Sequence, residues 1–121
     1  MALKYLLDTN VILYLLGGKL LEPLPEGRYF ASVITELELL SYSLLCPKEE
    51  EKISQFLEEI TVVELNPEIK KMTILIRRTH KIKLPDAIIL ATAQSLGAKI
   101  FSNDTQMAKI PHIDIIPLLL K

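Results

Sequence analysis

The sequence contains no tryptophan and only one cysteine, Cys46, among its 121 residues. A single cysteine excludes an intrachain disulfide and any cysteine-based zinc site. A lone thiol also suits a reducing compartment, so a cytoplasmic location is expected. Aromatic residues are scarce at 6%. An excess of one charge is missing too: 14 Lys+Arg against 15 Asp+Glu leave a net charge of −1, without the overall basic balance common in nucleic-acid-binding chains. No apolar run approaches the ~18 residues of a membrane-crossing helix. The longest, Val11 to Leu16, lies between Asp8-Thr9-Asn10 and Gly17-Gly18. The first residues lack a basic stretch leading into an apolar run and a small-residue cleavage site, so no secretory leader is expected. Glycine-rich phosphate loops, nucleophile elbows, internal repeats, low-complexity segments and linkers are likewise missing.

What is present is aliphatic. Hydrophobic residues make up 50% and charged residues 24%, which permits a packed core and excludes disorder. A chain of this size buries about two thirds of its unfolded surface, enough for one domain spanning residues 1–121 without disulfides or a structural metal. A mean hydropathy of +0.30 is high for a small chain. Surplus apolar surface of that kind predicts a subunit interface and hence a homodimer.

Apolar runs alternate with helical periods. Leu3 to Leu7 reads as a buried strand, followed by a helix over Val11 to Leu16 capped by Thr9 or Asn10 and stopped at Gly17-Gly18. Tyr29 to Ser32 reads as a second strand. It leads into a helix through about Leu45, because Val33, Leu37, Leu40 and Leu44 recur at helical spacing. Lys48 to Ile60 is expected as a helix with Ile53, Phe56, Leu57 and Ile60 inward, and Thr61 to Leu65 as a strand. Asn66-Pro67-Glu68 starts a helix carrying Ile69, Met72, Leu75, Ile76 and Thr79. Pro85 opens a helix over Asp86 to Leu96 that is apolar nearly all round and so central, closed by Gly97. Ala98 to Phe101 and Ile113 to Leu118, the latter broken by Pro117, complete the strands. Short strands alternating with helices predict an α/β domain, a short central parallel sheet with helices on both faces.

In such a sheet ligands bind beyond the carboxyl ends of the strands. Asp8 directly follows one strand and Asp104 follows another by way of Ser102-Asn103, so both belong to that edge. Each also fits a plain cap or turn residue. Asp86 lies in the first turn of the apolar helix, where a carboxylate gains about 0.3–1 kcal/mol from the helix dipole. Beside a core, however, its charge needs a cation or strong hydrogen bonds. Glu36 and Glu38 point to different sides of their helix, so at most one joins the others. Convergence of Asp8, Glu38, Asp86 and Asp104 would raise their pKa values and destabilise the fold unless a cation sat among them. An all-oxygen set suits Mg²⁺ or Mn²⁺ and water activation at phosphorus. His80 and His112 are isolated, expected at the surface, and do not suggest zinc.

Four blocks together carry a resemblance. They are Leu6-Leu7-Asp8-Thr9-Asn10-Val11-Ile12-Leu13, Ser32-Val33-Ile34-Thr35 with Glu38-Leu39, Leu84-Pro85-Asp86-Ala87-Ile88-Ile89-Leu90-Ala91-Thr92-Ala93, and Ser102-Asn103-Asp104. In order and spacing the chain resembles a PIN-domain ribonuclease, and is most similar to VapC-like toxins of bacterial toxin–antitoxin pairs. The resemblance implies a metal-dependent endoribonuclease with Asp8, Glu38, Asp86 and Asp104 as catalytic and metal-holding residues around Mg²⁺ or Mn²⁺. Thr9, Asn10 and Ser102 would orient those carboxylates. It implies an RNA substrate and a cognate antitoxin protein as partners. The chain departs from the family pattern at Ser41-Tyr42-Ser43, where a glycine often follows the Glu-Leu pair, and at Met107, where an aromatic often follows the last acid.

Charge is unevenly distributed. Pro67 to Lys83 holds six basic residues against the single acid Glu68, whereas Lys48 to Glu59 holds five acids against two bases. Arg77, Arg78, Lys81 and Lys83 lead directly into Asp86, and are candidates to contact an RNA backbone; a solvated helix face explains them equally well. Two rival readings stand beside the nuclease. One is a non-catalytic RNA- or protein-binding module of the same fold. The other is an aspartate-based phosphohydrolase, disfavoured because Asn10 occupies the place of a second acid.

Overall fold

The computed structural model describes residues 3–121. Its five strands form one parallel sheet in the order β3-β2-β1-β4-β5. The chain runs β1 (Lys4–Leu7), α1 (Thr9–Leu16), β2 (Arg28–Ser32), α2 (Val33–Leu40), α3 (Pro47–Glu59), β3 (Thr61–Val63), α4 (Pro67–Thr79), α5 (Leu84–Leu96), β4 (Lys99–Phe101) and β5 (Ile115–Ile116), with a 3-10 turn at Met107–Lys109 before the last strand. The expected α/β architecture is therefore present.

Strand alternation assigns the two cores. Leu6, Phe30 and Ile100 point to one face and pack with Ile69 and Ile76 of α4 and Ile89 and Leu90 of α5. Tyr5, Leu7, Ala31 and Phe101 point to the other and meet Val11, Ile12, Leu39, Ile53 and Leu57 of α1, α2 and α3. Each fully buried leucine or isoleucine contributes about 1.5–3 kcal/mol, so the sheet is held from both sides. Every residue of α5 from Ala87 to Ala93 is buried, the central helix expected from its uniform apolarity. Gly97 ends it in the left-handed region at φ 65°, a conformation that costs glycine little.

Several boundaries differ from the sequence reading, among them the last strand, which is only Ile115–Ile116 and not Ile113 to Leu118. Asp8, rather than Thr9 or Asn10, is the N-cap of α1, because its carboxylate accepts the Thr9 N–H. The second helix ends at Leu40 and does not reach Leu45. At its end the Ser41 hydroxyl donates back to the Leu37 carbonyl. The buried side of that helix is Thr35 and Leu39, while Leu37, Leu40 and Leu44 are exposed. Apolar residues at helical spacing here mark an outward stripe. The third strand stops at Val63, short of the expected Leu65. Cys46 is exposed, as is His112, and His80 is half-buried.

Among the described residues no helix is long and apolar enough to cross a membrane.

Candidate active site

The sheet places its topological switch beside β1. From β1 the chain moves by way of α1 to β2 on one side, and after β3 it returns through α4 and α5 to β4 on the other side. The crevice beyond the carboxyl ends of β1 and β4 is where open α/β sheets place their ligands. Asp8 leaves β1 there and Asp104 follows β4. Their strands are hydrogen-bonded neighbours with Leu7 opposite Phe101, and the Asp8 N–H donates to the Phe101 carbonyl at 3.2 Å.

Asp8 is 7% exposed. Its Oδ1 accepts the Thr9 N–H at 2.7 Å and its Oδ2 accepts the Ser102 hydroxyl at 2.7 Å. Burial pushes its carboxyl above the usual aspartate range. The Ser102 and Thr9 bonds pull it back, and the charges of Asp104 and Glu38 push it further up. Asp86, half-buried in the first turn of α5, is raised first by burial and then by the charges of Asp104, Asp8 and Glu38, with Lys83 opposing them. The four acids from four separate segments thus share one electrostatic field, although Asp8 and Asp86 are 78 positions apart in the numbering.

Of the two glutamates in α2, Glu38 joins this field. The Thr9 hydroxyl donates to Glu38 Oε1 at 2.7 Å and lies 3.2 Å from the hydroxyl of Thr35, which is fully buried. With the single Thr9 proton directed at Glu38, Thr35 is the donor to Thr9. Thr35 is a residue the sequence reading left without a role; its signal was a small polar side chain one helical turn before Glu38, on the same side of α2 as Leu39. Ser102 also links two acids, donating to Asp8 while accepting the Asp104 N–H at 3.0 Å. Asp104 Oδ1 accepts the N–H groups of Gln106 and Met107 at 2.7 and 3.3 Å. Asp8 and Asp104 are therefore caps as well as members of the cluster. Asn10, grouped with the orienting residues from the sequence, is exposed at the second position of α1.

Each carboxylate oxygen retains lone pairs beyond these bonds, and the set contains only oxygen donors. It fits a hard divalent cation in kind. Among the described residues no three acids stand close enough, as their side chains lie, to grip one ion.

The basic segment divides. Arg77 Nε donates to the Ile82 carbonyl at 3.3 Å, folding the connection back toward α5. Arg78 instead lines a groove on the outer side of α4 with Pro67, Lys70, Lys71, Ile74 and Leu75. Lys83 caps α5 and acts on Asp86, while Lys81 is exposed in the connection between α4 and α5.

The PIN domain family matches residues 5–113. The chain belongs to the PIN domain family. Its blocks around Asp8, Glu38, Asp86 and Asp104 thus lie inside the matched segment, and the PIN fold accounts for the strand order. Among solved structures, a toxin–antitoxin complex from Klebsiella pneumoniae contains a chain with 28% identity and a TM-score of 0.78, covering 93% of this chain and 95% of that one. VapBC2 from Rickettsia felis, bound to a DNA fragment from its promoter, gives 18% identity and a TM-score of 0.80 over 97% of this chain and 100% of that one. DNA-bound VapBC from Salmonella typhimurium gives 23% identity and a TM-score of 0.78 over 95% and 98%. At these lower identities the last two establish the fold alone. The matched family agrees with the motif reading, and the relative at 28% identity is a chain of a toxin–antitoxin complex. A comparison with curated proteins found no match.

Proposed function

We propose that this PIN domain is a metal-dependent endoribonuclease, the toxin of a type II toxin–antitoxin pair, with Asp8, Glu38, Asp86 and Asp104 holding Mg²⁺ or Mn²⁺. One observation carries the reading. Burial and mutual repulsion raise both Asp8 and Asp86, so the cluster destabilises the fold until positive charge enters it. A bound divalent ion supplies that charge, acidifies a water and neutralises charge developing on a phosphodiester.

The chain's own residues do the positioning. Ser102 and the Thr9 N–H orient the two oxygens of Asp8, and the Thr9 hydroxyl, backed by Thr35, orients Glu38. Asp86 enters from the start of α5, and among the described residues no hydrogen bond holds its carboxylate, which leaves its oxygens for an ion or substrate. Lys83, beside Asp86, and Lys81 supply backbone contacts for RNA there, with Arg77 and Arg78 extending the basic segment along α4. The partner is an antitoxin protein that covers apolar surface next to the acids, where Leu13 of α1 and Leu37 and Leu40 of α2 are exposed. The protein is a cytoplasmic homodimer.

The decisive experiment measures cleavage of a long RNA by metal-stripped protein, before and after Mn²⁺ or Mg²⁺ is restored. Cleavage that depends on the added ion supports the proposal. Cleavage that persists after rigorous chelation overturns it, and Mn²⁺ binding without cleavage turns the reading toward a binding module.

A further inference from the structure

Three consecutive residues after β4 make three different connections. Ser102 reaches Asp8, and Asp104 belongs to the acid cluster. Between them, Asn103 turns the other way and pairs with the main chain of Leu118. Its Nδ2 donates to the Leu118 carbonyl at 3.1 Å and its Oδ1 accepts the Leu118 N–H at 2.7 Å.

This pair continues the sheet past its last backbone bond. β4 and β5 are in parallel register, Ile100 opposite Ile115 and Phe101 opposite Ile116, and the Ser102 N–H extends the ladder to the Ile116 carbonyl at 3.1 Å. In this alternation Pro117 faces away from β4, and the next main-chain groups turned toward it are those of Leu118. The Asn103 amide, with one donor and one acceptor in the spacing of a peptide group, takes over at Leu118.

The segment it grips is itself fixed. The Leu21 N–H donates to the Leu119 carbonyl at 2.9 Å, the Lys121 N–H donates to the Lys19 carbonyl at 2.9 Å, and Leu20 bridges Leu120 in antiparallel fashion. Residues 19–21 directly follow α1, whose first cap is Asp8. The bonds therefore close a ring: Asp8, α1, residues 19–21, residues 118–121, Asn103, Ser102, and Asp8 again.

We infer that Asn103 is a positioning residue that ties residues 118–121 to the acid cluster, so that this segment, which contributes no acid, sets where Ser102 and Asp104 stand. The metal-binding part of this inference rests on the reading of the cluster given above; the mechanical part does not. An untethered Asn103 leaves Ser102 and Asp104 on a mobile turn, with the Asp104–Gln106 bond free to open.

The test compares wild type, Asn103→Ala, a variant lacking residues 118–121, and the combination. Two quantities are read: amide hydrogen exchange in metal-free protein, and Mn²⁺ affinity by calorimetry. Asn103→Ala is expected to speed exchange at Asp104 and Gln106 while α5 amides keep their protection, which a general loss of stability would not do. Mn²⁺ binding is expected to weaken about tenfold, the lower end for groups that orient ligands. The combined variant is expected to be no worse than the weaker single one, since both cut the same ring. Unchanged exchange at Asp104 and Gln106 in Asn103→Ala overturns the inference, as does a multiplicative loss in the combination. If the deletion does not fold, exchange in Asn103→Ala alone decides. Wild-type protein that fails to bind Mn²⁺ while the exchange result holds overturns the metal reading and leaves the tether standing.

Discussion

The Ser102 hydroxyl donates to Oδ2 of Asp8 at 2.7 Å across a separation of 94 residues. Its oxygen also accepts the Asp104 N–H, so one side chain registers two acids against each other. Removing it as Ser102→Ala leaves Asp8 Oδ2 without a partner in a buried setting, at a cost of about 1–3 kcal/mol. Cleavage is expected to fall about 10–100-fold. A variant with unaltered rate measured against wild type at saturating Mn²⁺ would remove Ser102 from the mechanism.

Asp8→Asn and Asp86→Asn are expected to lower cleavage by more than the ~10–100-fold typical of orienting residues, with circular dichroism unchanged. Activity within tenfold of wild type for either variant contradicts the proposed site.

Stability gives an independent test with a definite sign. Asp8 and Asp86 have folded pKa values raised above the unfolded ones, by burial first. A carboxyl raised in this way favours the fold while protonated, and that contribution is lost as pH rises through the folded pKa. At neutral pH the charged cluster therefore weakens the metal-free protein. Asp8→Asn is expected to melt about 2–5 °C higher than wild type at pH 7 without metal. The gap should close as pH is lowered through the raised pKa, and reverse when Mn²⁺ stabilises only the wild type. Thermal scans in chelator that show Asp8→Asn melting lower at neutral pH make the residue structural.

Thr9→Val keeps the shape of the side chain and deletes the hydroxyl between Glu38 and Thr35. Cleavage is expected to fall about 10–100-fold with a smaller change in melting temperature. Equal activity would make Glu38 independent of Thr9.

For RNA, the division of the basic segment separates two variants. Lys83→Glu, next to Asp86, is expected to raise the RNA dissociation constant and to flatten its salt dependence by about 0.7 in logarithmic slope, one phosphate contact on a single strand. Arg78→Glu lies on the outer groove of α4 and is expected to change the slope less. Titrations across salt that rank them the other way would move the RNA path onto α4.

Much of this arrangement could be read from the residues. Asp8 is legible because an apolar strand ends immediately before it, Asp104 because it closes the short polar turn Ser102-Asn103 after another, and Asp86 because a charge in so apolar a helix demands a partner. Helical spacing limits the second helix to one glutamate, the family resemblance singles out Glu38, and the burial of Thr35 and Leu39 agrees with that choice. The length of that helix was misjudged because Leu37, Leu40 and Leu44 repeat like a buried face. They are 54%, 37% and 77% exposed, and periodicity is the same whichever way an apolar stripe faces. Thr35 and Asn103 were not legible as connectors. Their partners lie 26 and 15 residues away, set by the sheet order and not by local pattern.

The sheet order also dictates when the acid cluster can exist. β1 is the first strand made and lies at the centre, and its neighbour on the Asp104 side is β4, Lys99–Phe101. Synthesis proceeds from the N-terminus, so Asp8, Glu38 and Asp86 are all polymerised before the strand that places Ser102 and Asp104 beside them. A nascent chain still attached to its ribosome, with β4 inside the exit tunnel, lacks both the Ser102 clamp on Asp8 and the fourth carboxylate.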